Sequence, residues 1–406
     1  MLVFPVYGSG CHIQFIIERK YCQVAYQYTR QTFDSIVRDK AFFTIYDNTG
    51  IWGDGSHDDT AGWLKALRTL ALGEKKFLWV DPGKFIISST ITIPYGGFII
   101  QGAGWGDVPN GTQGSELFLA NGANQYIMTM NNVTNGLTGI KIAGLKFSCN
   151  AANQTGASGG IDANGSYRNV YEDLYIDSPY TTGIRLHFGP GGSFGFQNVL
   201  RGCQFMNGSN SAAEGRGLWI DNCDENRFEH CFFQNNGGGN GNDNFDVRDE
   251  NGLNGYIDCT HVNSKGGVKV YATGTPPAGS RFESCIYDGM GMGSSNACLA
   301  LVGLGGNGVI NCHFLNIGFA GGTSPPANTF DGIYTKGKSD RIIGCYFNPA
   351  GDGKNACNAM VELDGTNGQD YGMVIGNDFE VNVTGSTQIK TDGTPTHNTT
   401  SPNTLH

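Results

Sequence analysis

Charge is sparse in this chain, with only 15% of its 406 residues being Asp, Glu, Lys or Arg. What charge there is leans acidic, 36 Asp and Glu against 26 Lys and Arg, for a formal net charge of -10. The cations are dispersed, so the basic stripe that tracks a phosphate backbone is missing and no nucleic-acid partner is expected. Long apolar runs are missing as well. No stretch approaches the roughly 18 residues of a membrane-spanning helix. Residues 1–10 lack both a basic region and an apolar core, so no export signal is expected. A disordered chain would carry more charge and fewer aromatics; here hydrophobic residues make up 39% and aromatics 11%, which is enough for a substantial core.

Glycine is abundant, at 63 residues, and together with 13 Pro it points to many short strands joined by many turns. The length fits two or three average domains or one elongated repeat array, and this composition favours the array.

A search for self-similarity finds one signature between about residues 140 and 382. It is a hydrophobic residue, two variable residues, Cys, any residue, then an aromatic or aliphatic. Leu200, Cys203 and Phe205 carry it, as do residues 228–233, 282–287, 309–314 and 342–347. The anchors Leu145, Leu174, Cys203, Cys231, Cys259, Cys285, Cys312, Cys345 and Asn377 are separated by 29, 29, 28, 28, 26, 27, 33 and 32 residues. Nine turns of one solenoid follow from that spacing. No apolar stripe of period 3.6 accompanies it and the leucine-rich pattern is absent, so helical and leucine-rich solenoids are excluded.

Each coil also carries a strictly alternating segment, seen at Gly183, Ile184, Arg185, Leu186 and His187 and again at Gly217, Leu218, Trp219, Ile220 and Asp221. Alternate residues of a strand face opposite sides, so the aliphatics point in and the variable residues out. Two strand tracks per coil, stacked about 4.8 Å apart, make an all-β parallel β-helix. The in-register cysteines from Cys203 to Cys345 then form an inward ladder. Side chains pointing the same way fit a disulfide dihedral poorly, so reduced thiols are expected, which suits a reducing compartment.

Ahead of the coils stand Gly53, Asp54, Gly55, Ser56, His57, Asp58, Asp59 and Thr60, then Leu64, Leu67 and Leu70 at helical spacing, then the apolar run 77–85. Ile91, Thr92, Ile93 and Pro94, with Gln101, Gly102, Ala103 and Gly104, complete a segment that resembles the start of the pectate-lyase-like domain of the pectin-lyase-like superfamily, common in phage tailspikes and related polysaccharide enzymes. The motif likeness covers residues 45–110, and the coil pattern carries the rest. It implies a right-handed β-helix with an N-terminal capping helix. Asp58 and Asp59, directly before the apolar helical run, read as a helix N-cap and not as a catalytic pair. Polygalacturonase motifs and a pectate-lyase calcium signature are absent.

The expected organisation is an adaptor or attachment segment over 1–44, the β-helix entry with its capping helix over 45–110, coils over 111–383, and a polar tail over 384–406. By the same resemblance the chain is expected to be a homotrimer joined through its N-terminus to a virion tail or baseplate. It would be made in the host cytoplasm, or alternatively secreted, and would bind a bacterial surface polysaccharide. No cofactor and no metal are expected; the run 240–244 lacks the glycine and terminal glutamate of an EF-hand and reads as a turn.

Candidate chemistry lies on the outward positions of the alternating track, aligned by Ile184, Leu218, Phe245 and Val268. That alignment gives one column of Arg185, Trp219, Asp246 and Lys269 and another of His187, Asp221, Arg248 and Tyr271. Asp221 and Asp246 would sit about 8 Å apart, within glycosidase range. Asp224, Glu225, Asp249 and Glu250 in the adjoining turns add acid density of the kind that raises a carboxyl pKa toward the range of a general acid. Asp221, Asp246, Asp249 and Glu225 are therefore the candidate catalytic residues, with Trp219, Arg248, His187, Arg185, Lys269 and Tyr271 as substrate-binding candidates. A charged ladder on a solvated face would look similar, with Arg248 merely pairing with Asp221. His261 falls in an inward aromatic slot, and Arg201 with Glu229 reads as a surface ion pair. The function expected is glycan depolymerisation by an acidic pair; the alternatives are a non-catalytic receptor-binding spike, and a lyase or epimerase using His187, Tyr271 or Lys269 as base.

Overall fold

The computed structural model describes residues 42–45, 50–72, 76–106, 114–132, 136–188, 195–208, 214–237, 245–250, 252–271, 279–290, 297–303, 305–318, 330–337, 339–349, 357–364, 372–380, 387–392, 400 and 403–405. Each coil contributes three short strands, where two had been expected. The Cys-containing unit is itself bent. Val199–Arg201 belongs to the first sheet and Gln204–Met206 to the second, with Gly202 between them at φ +62°. The same corner is left-handed in neighbouring coils at Asp173, His230, Asp258, Ser284 and Asn311, so the kink recurs whatever residue occupies it. Leu200 and Phe205 on either side both point inward, which is why the unit looked like a single track in the sequence.

The result is an all-β, right-handed parallel solenoid with sheets of 12, 13 and 11 strands, each receiving one strand per coil. Pairing begins at Phe42–Thr44, against Phe77–Val80. It continues past residue 383, where Thr387–Asp392 joins the third sheet and Thr404–Leu405 the second, inside the segment expected to be a tail. The adaptor expectation concerns residues that, up to 41, lie outside those described. Among the described residues no helix is long and apolar enough to cross a membrane.

Among the interior ladders of the described residues, three run along most of the coils. Phe205, Phe233, His261, Tyr287, Phe314 and Phe347 stack with ring centroids 4.6 to 4.9 Å apart, the repeat that in-register parallel strands impose. Cys203, Cys231, Cys259, Cys285, Cys312 and Cys345 are buried free thiols. Adjacent thiols and burial push the Cys231 thiol well above its ordinary range. The third ladder, of amides, closes the corner before the first sheet. The Oδ1 of Asn198, Asn226 and Asn254 accepts the backbone N–H of Asn169, Asn198 and Asn226 at 3.2, 3.0 and 3.0 Å. Every member is buried, so each amide satisfies a donor that water cannot reach.

The helix Thr60–Leu72 buries Trp63, Ala66, Leu67 and Leu70, and Trp63 meets Phe85 edge-on at 5.8 Å. Asp59 O accepts the first helical N–H, from Trp63 at 3.0 Å, and the preceding Asp58 Oδ1 accepts the Thr60 N–H at 3.0 Å. The Asp59 carboxylate is buried and takes the N–H of Trp52 at 2.5 Å and of Ile86 at 3.3 Å, tying the preceding loop to the coil.

Candidate functional site

The third sheet exposes two columns of outward side chains. Register along the first runs Asp162, Arg185, Trp219, Arg248, Lys269, Ala300, Tyr334, Glu362, Lys390. In the second, His187 is in register with Asp221. Strand Val247–Asp249 pairs Ile220 with Asp249, so Glu250 follows beside Asp221 and Tyr271 comes one coil later.

This register corrects the expected alignment by two residues at one coil. Val247, not Phe245, matches Leu218. A slip of two residues keeps the inward and outward parity, so alternation by itself does not reject it. The consequence for Asp246 is complete burial. It occupies the place held in adjacent coils by Gly217 and Gly267, where a Cβ would come within 2.8 Å of the Phe233 ring and 2.6 Å of the Tyr287 ring. An aspartate fits there because this coil stacks His261 in place of a larger ring, and His261 Nδ1 lies 2.8 Å from Asp246 Oδ2. Asp246 is therefore an interior partner, not an outward acid.

Asp249 also departs from expectation. It is buried and accepts from Asn254 Nδ2 at 3.0 Å, Gly252 N at 3.0 Å and the Tyr256 hydroxyl at 3.0 Å, a bonding set that fixes a corner. Glu225 is exposed on the turn after the strand, accepting from Gln197 Nε2 at 2.7 Å, outside both columns. Arg201 Nε does reach Glu229 at 2.8 Å, although Glu229 is buried.

Asp221, Trp219, Arg248, His187, Arg185, Lys269 and Tyr271 are brought together. The Arg185 guanidinium lies 4.0 Å from the Trp219 ring centre on the preceding rung, and Arg248 lies 5.5 Å from it on the following one. Lys269 and Arg248 approach the Tyr271 ring at 4.4 and 5.2 Å. Such cation–aromatic stacking holds long side chains in fixed poses on an open face. Arg185 also pairs with Asp221 at 3.2 Å, and Arg248 Nε with Glu250 at 2.5 Å.

Two further residues join this set. Asp162 Oδ1 is 2.8 Å from His187 Nε2, making an imidazole–carboxylate pair at one edge. Glu250 interacts with Asp221 across one rung, and burial first, then that neighbouring carboxylate, raises the Glu250 pKa above its ordinary value against the pull of Arg248. Sequence reading assigned Glu250 only to an adjoining turn, and the observed register brings it beside Asp221. Chemically, the cluster offers two neighbouring carboxyl groups, fixed cations, and an aromatic face. Among the described residues no three His, Cys, Asp or Glu side chains are grouped to hold a metal ion.

No protein-family model and no curated protein sequence matches the chain. Among solved structures, the Azotobacter vinelandii mannuronan C-5 epimerase AlgE6 A-module is similar at TM-score 0.59 and 13% identity, over 90% of this chain and 99% of that one. The bacteriophage Phi29 gene product 12 N-terminal fragment is similar at TM-score 0.54 and 12% identity, over 91% and 68%. Geobacillus virus E2 ORF18 aligns at TM-score 0.45 and 14% identity, over 93% of this chain but only 59% of that one. The first two likenesses define the class of the fold, a parallel β-helix.

Proposed function

We propose that this chain is a virion-associated spike that binds a bacterial surface polysaccharide along the outer face of its third sheet and depolymerises it by glycoside hydrolysis. The observation that carries this reading is the Asp221–Glu250 pair, set between guanidinium groups that are themselves stacked on Trp219. Adjacent parallel strands have backbones about 4.8 Å apart, so outward carboxyl groups on neighbouring rungs can adopt the roughly 5 Å separation that retaining glycosidases use. Glu250 would protonate the glycosidic oxygen while Asp221 attacks the anomeric carbon, forming a glycosyl ester. Water then cleaves that ester with Glu250 as base. Trp219 and Tyr271 would support sugar faces, and Arg185, Arg248 and Lys269 would hold acidic or hydroxyl groups.

A homotrimer, attachment to a tail or baseplate through the N-terminal residues, and a role for the helix Thr60–Leu72 in sealing the coil stack belong to the same reading. A second reading is favoured by the His187–Asp162 contact at 2.8 Å: an imidazole base held by a carboxylate suits proton abstraction in a lyase or epimerase. Incubation with capsular and lipopolysaccharide preparations from many strains separates the cases. Shortened chains with new reducing ends and no ultraviolet-absorbing unsaturated sugar support hydrolysis. Unsaturated ends support elimination, and binding without product leaves a receptor-binding spike. Light scattering that gave a monomer would remove the trimer.

A further inference from the structure

Two polar atoms in the middle of the core have no protein partner. His261 and Tyr287 are both completely buried, on successive rungs of the second sheet. His261 turns Nδ1 toward Asp246 Oδ2 at 2.8 Å, which leaves Nε2 at the far edge of the ring without a hydrogen bond, and the Tyr287 hydroxyl has none either. Buried polar atoms in folded proteins are almost always satisfied, by protein or by an ordered water. The other fully buried tyrosines among the described residues follow that rule. Tyr171 lies 3.2 Å from the Ser166 hydroxyl, and Tyr256 donates to Asp249 at 3.0 Å.

The ring stack explains why the exception falls here. Phe233, His261, Tyr287 and Phe314 follow one another with centres 4.6, 4.9 and 4.8 Å apart and successive planes parallel to within 4°. Imidazole is smaller than phenyl, so the ring of His261 ends short of its neighbours, while the Tyr287 hydroxyl projects beyond them on the next rung. With the two ring centres 4.9 Å apart, Nε2 and the hydroxyl oxygen stand on the order of 5 Å from each other, too far for a direct bond and within the span of one water making two bonds of about 2.8 Å. Burial first, then the thiols of Cys285, Cys312 and Cys259, pushes the Tyr287 hydroxyl well above its ordinary range, so it remains a neutral group that can donate or accept. The imidazole Nε2 accepts in the neutral ring and donates in the charged one. Water meets either need, whereas an ion would bring an uncompensated charge into an apolar core.

We propose that one water molecule is a permanent ligand of the solenoid interior, bound between His261 Nε2 and the Tyr287 hydroxyl. It completes a buried chain from Asp246 through His261 to Tyr287 and holds the imidazole with Nδ1 toward Asp246, since a flipped ring would lose both bonds. The backbone oxygen of Asp246 accepts the N–H of Gly217 and Leu218 at 2.9 and 3.0 Å, so the chain anchors from inside the strand that carries Trp219. This holds whatever the outer face binds.

A high-resolution crystal structure of the full chain decides the matter by itself, and should show one solvent peak about 2.7 to 3.2 Å from both atoms. Tyr287→Phe removes one partner and should abolish the peak, and deuteron relaxation dispersion in solution should then count one fewer long-lived internal water than in the parent. If that variant does not fold, His261→Phe combined with Asp246→Gly, which recreates the ring and glycine of the adjacent coils, should likewise lack the peak. No peak in the parent, a direct bond between the two groups, or a peak that persists in Tyr287→Phe would overturn the proposal.

Discussion

Glu250→Gln keeps the size and much of the hydrogen-bonding reach of the side chain toward Arg248 while removing its transferable proton. If Glu250 is the acid, turnover should fall by about 10²- to 10⁴-fold, or about 3 to 5 kcal/mol of barrier. The pH profile carries more information than the loss. Burial and the Asp221 carboxylate raise the Glu250 pKa, so the protonated acid persists to higher pH than usual and the rate falls as pH rises through that value. In Asp221→Asn the residual activity should therefore show this alkaline limb displaced to lower pH, because the repelling charge is gone. In Glu250→Gln the limb should vanish. Both side chains lie on outward positions, so thermal unfolding should stay within a few degrees of the parent. The assay is release of reducing ends from the polymer between about pH 4 and pH 9, with NMR of the first product for anomeric configuration. Undiminished turnover in both variants, or a limb that stays in place in Asp221→Asn, would refute the assignment.

Three further outcomes concern the scaffold. His261→Phe strands the buried Asp246 carboxylate and should cost about 3 to 5 kcal/mol, whereas adding Asp246→Gly recreates the glycine-and-ring pairing of the adjacent coils and should restore most of it. Thermal or denaturant unfolding decides, and a double variant no better than the single one contradicts the pairing. Asn226→Ala removes the acceptor of the Asn198 backbone N–H and amide at 3.0 Å each, an expected loss of about 2 to 5 kcal/mol; a change under about 0.5 kcal/mol would mean water replaces the ladder. Burial and the neighbouring Glu362 raise the Asp331 pKa to about 8. An acid whose folded pKa is raised contributes stability below its ordinary value, about pH 4, and loses it as pH rises to about 8. Asp331→Asn should then melt higher than the parent at about pH 9 and close to it near pH 4, and a constant difference across that range would contradict the coupling.

The solenoid was legible because its period is enforced by the core. Cysteine and aromatic anchors recur at 26 to 33 residues, since each coil must return an inward side chain onto the one below. The division between the first and second sheets was hidden because the corner at Gly202 lies between two inward residues and changes no polarity pattern. The strands Thr387–Asp392 and Thr404–Leu405 were missed because they are polar edge segments held by backbone pairing. At the site, Arg185, Trp219, Asp221 and Lys269 were placed correctly by alternation alone. Asp246 and Asp249 were misplaced, Glu250 was assigned only to an adjoining turn, and Asp162 was passed over, because alternation fixes parity and not register. Only the glycine column at Gly217 and Gly267, which admits a side chain where the stacked ring shrinks to His261, distinguishes the two alignments.

The central claim is that the outer face of the third sheet is where glycan is bound and processed. A crystal structure of Glu250→Gln with a fragment of whichever surface polysaccharide the chain recognises tests it most directly. The account predicts a sugar ring stacked at Trp219, its glycosidic oxygen within hydrogen-bond reach of residue 250, and its anomeric carbon facing Asp221. A fragment lodged on the first or second sheet, or between copies of the chain with this face bare, would contradict it.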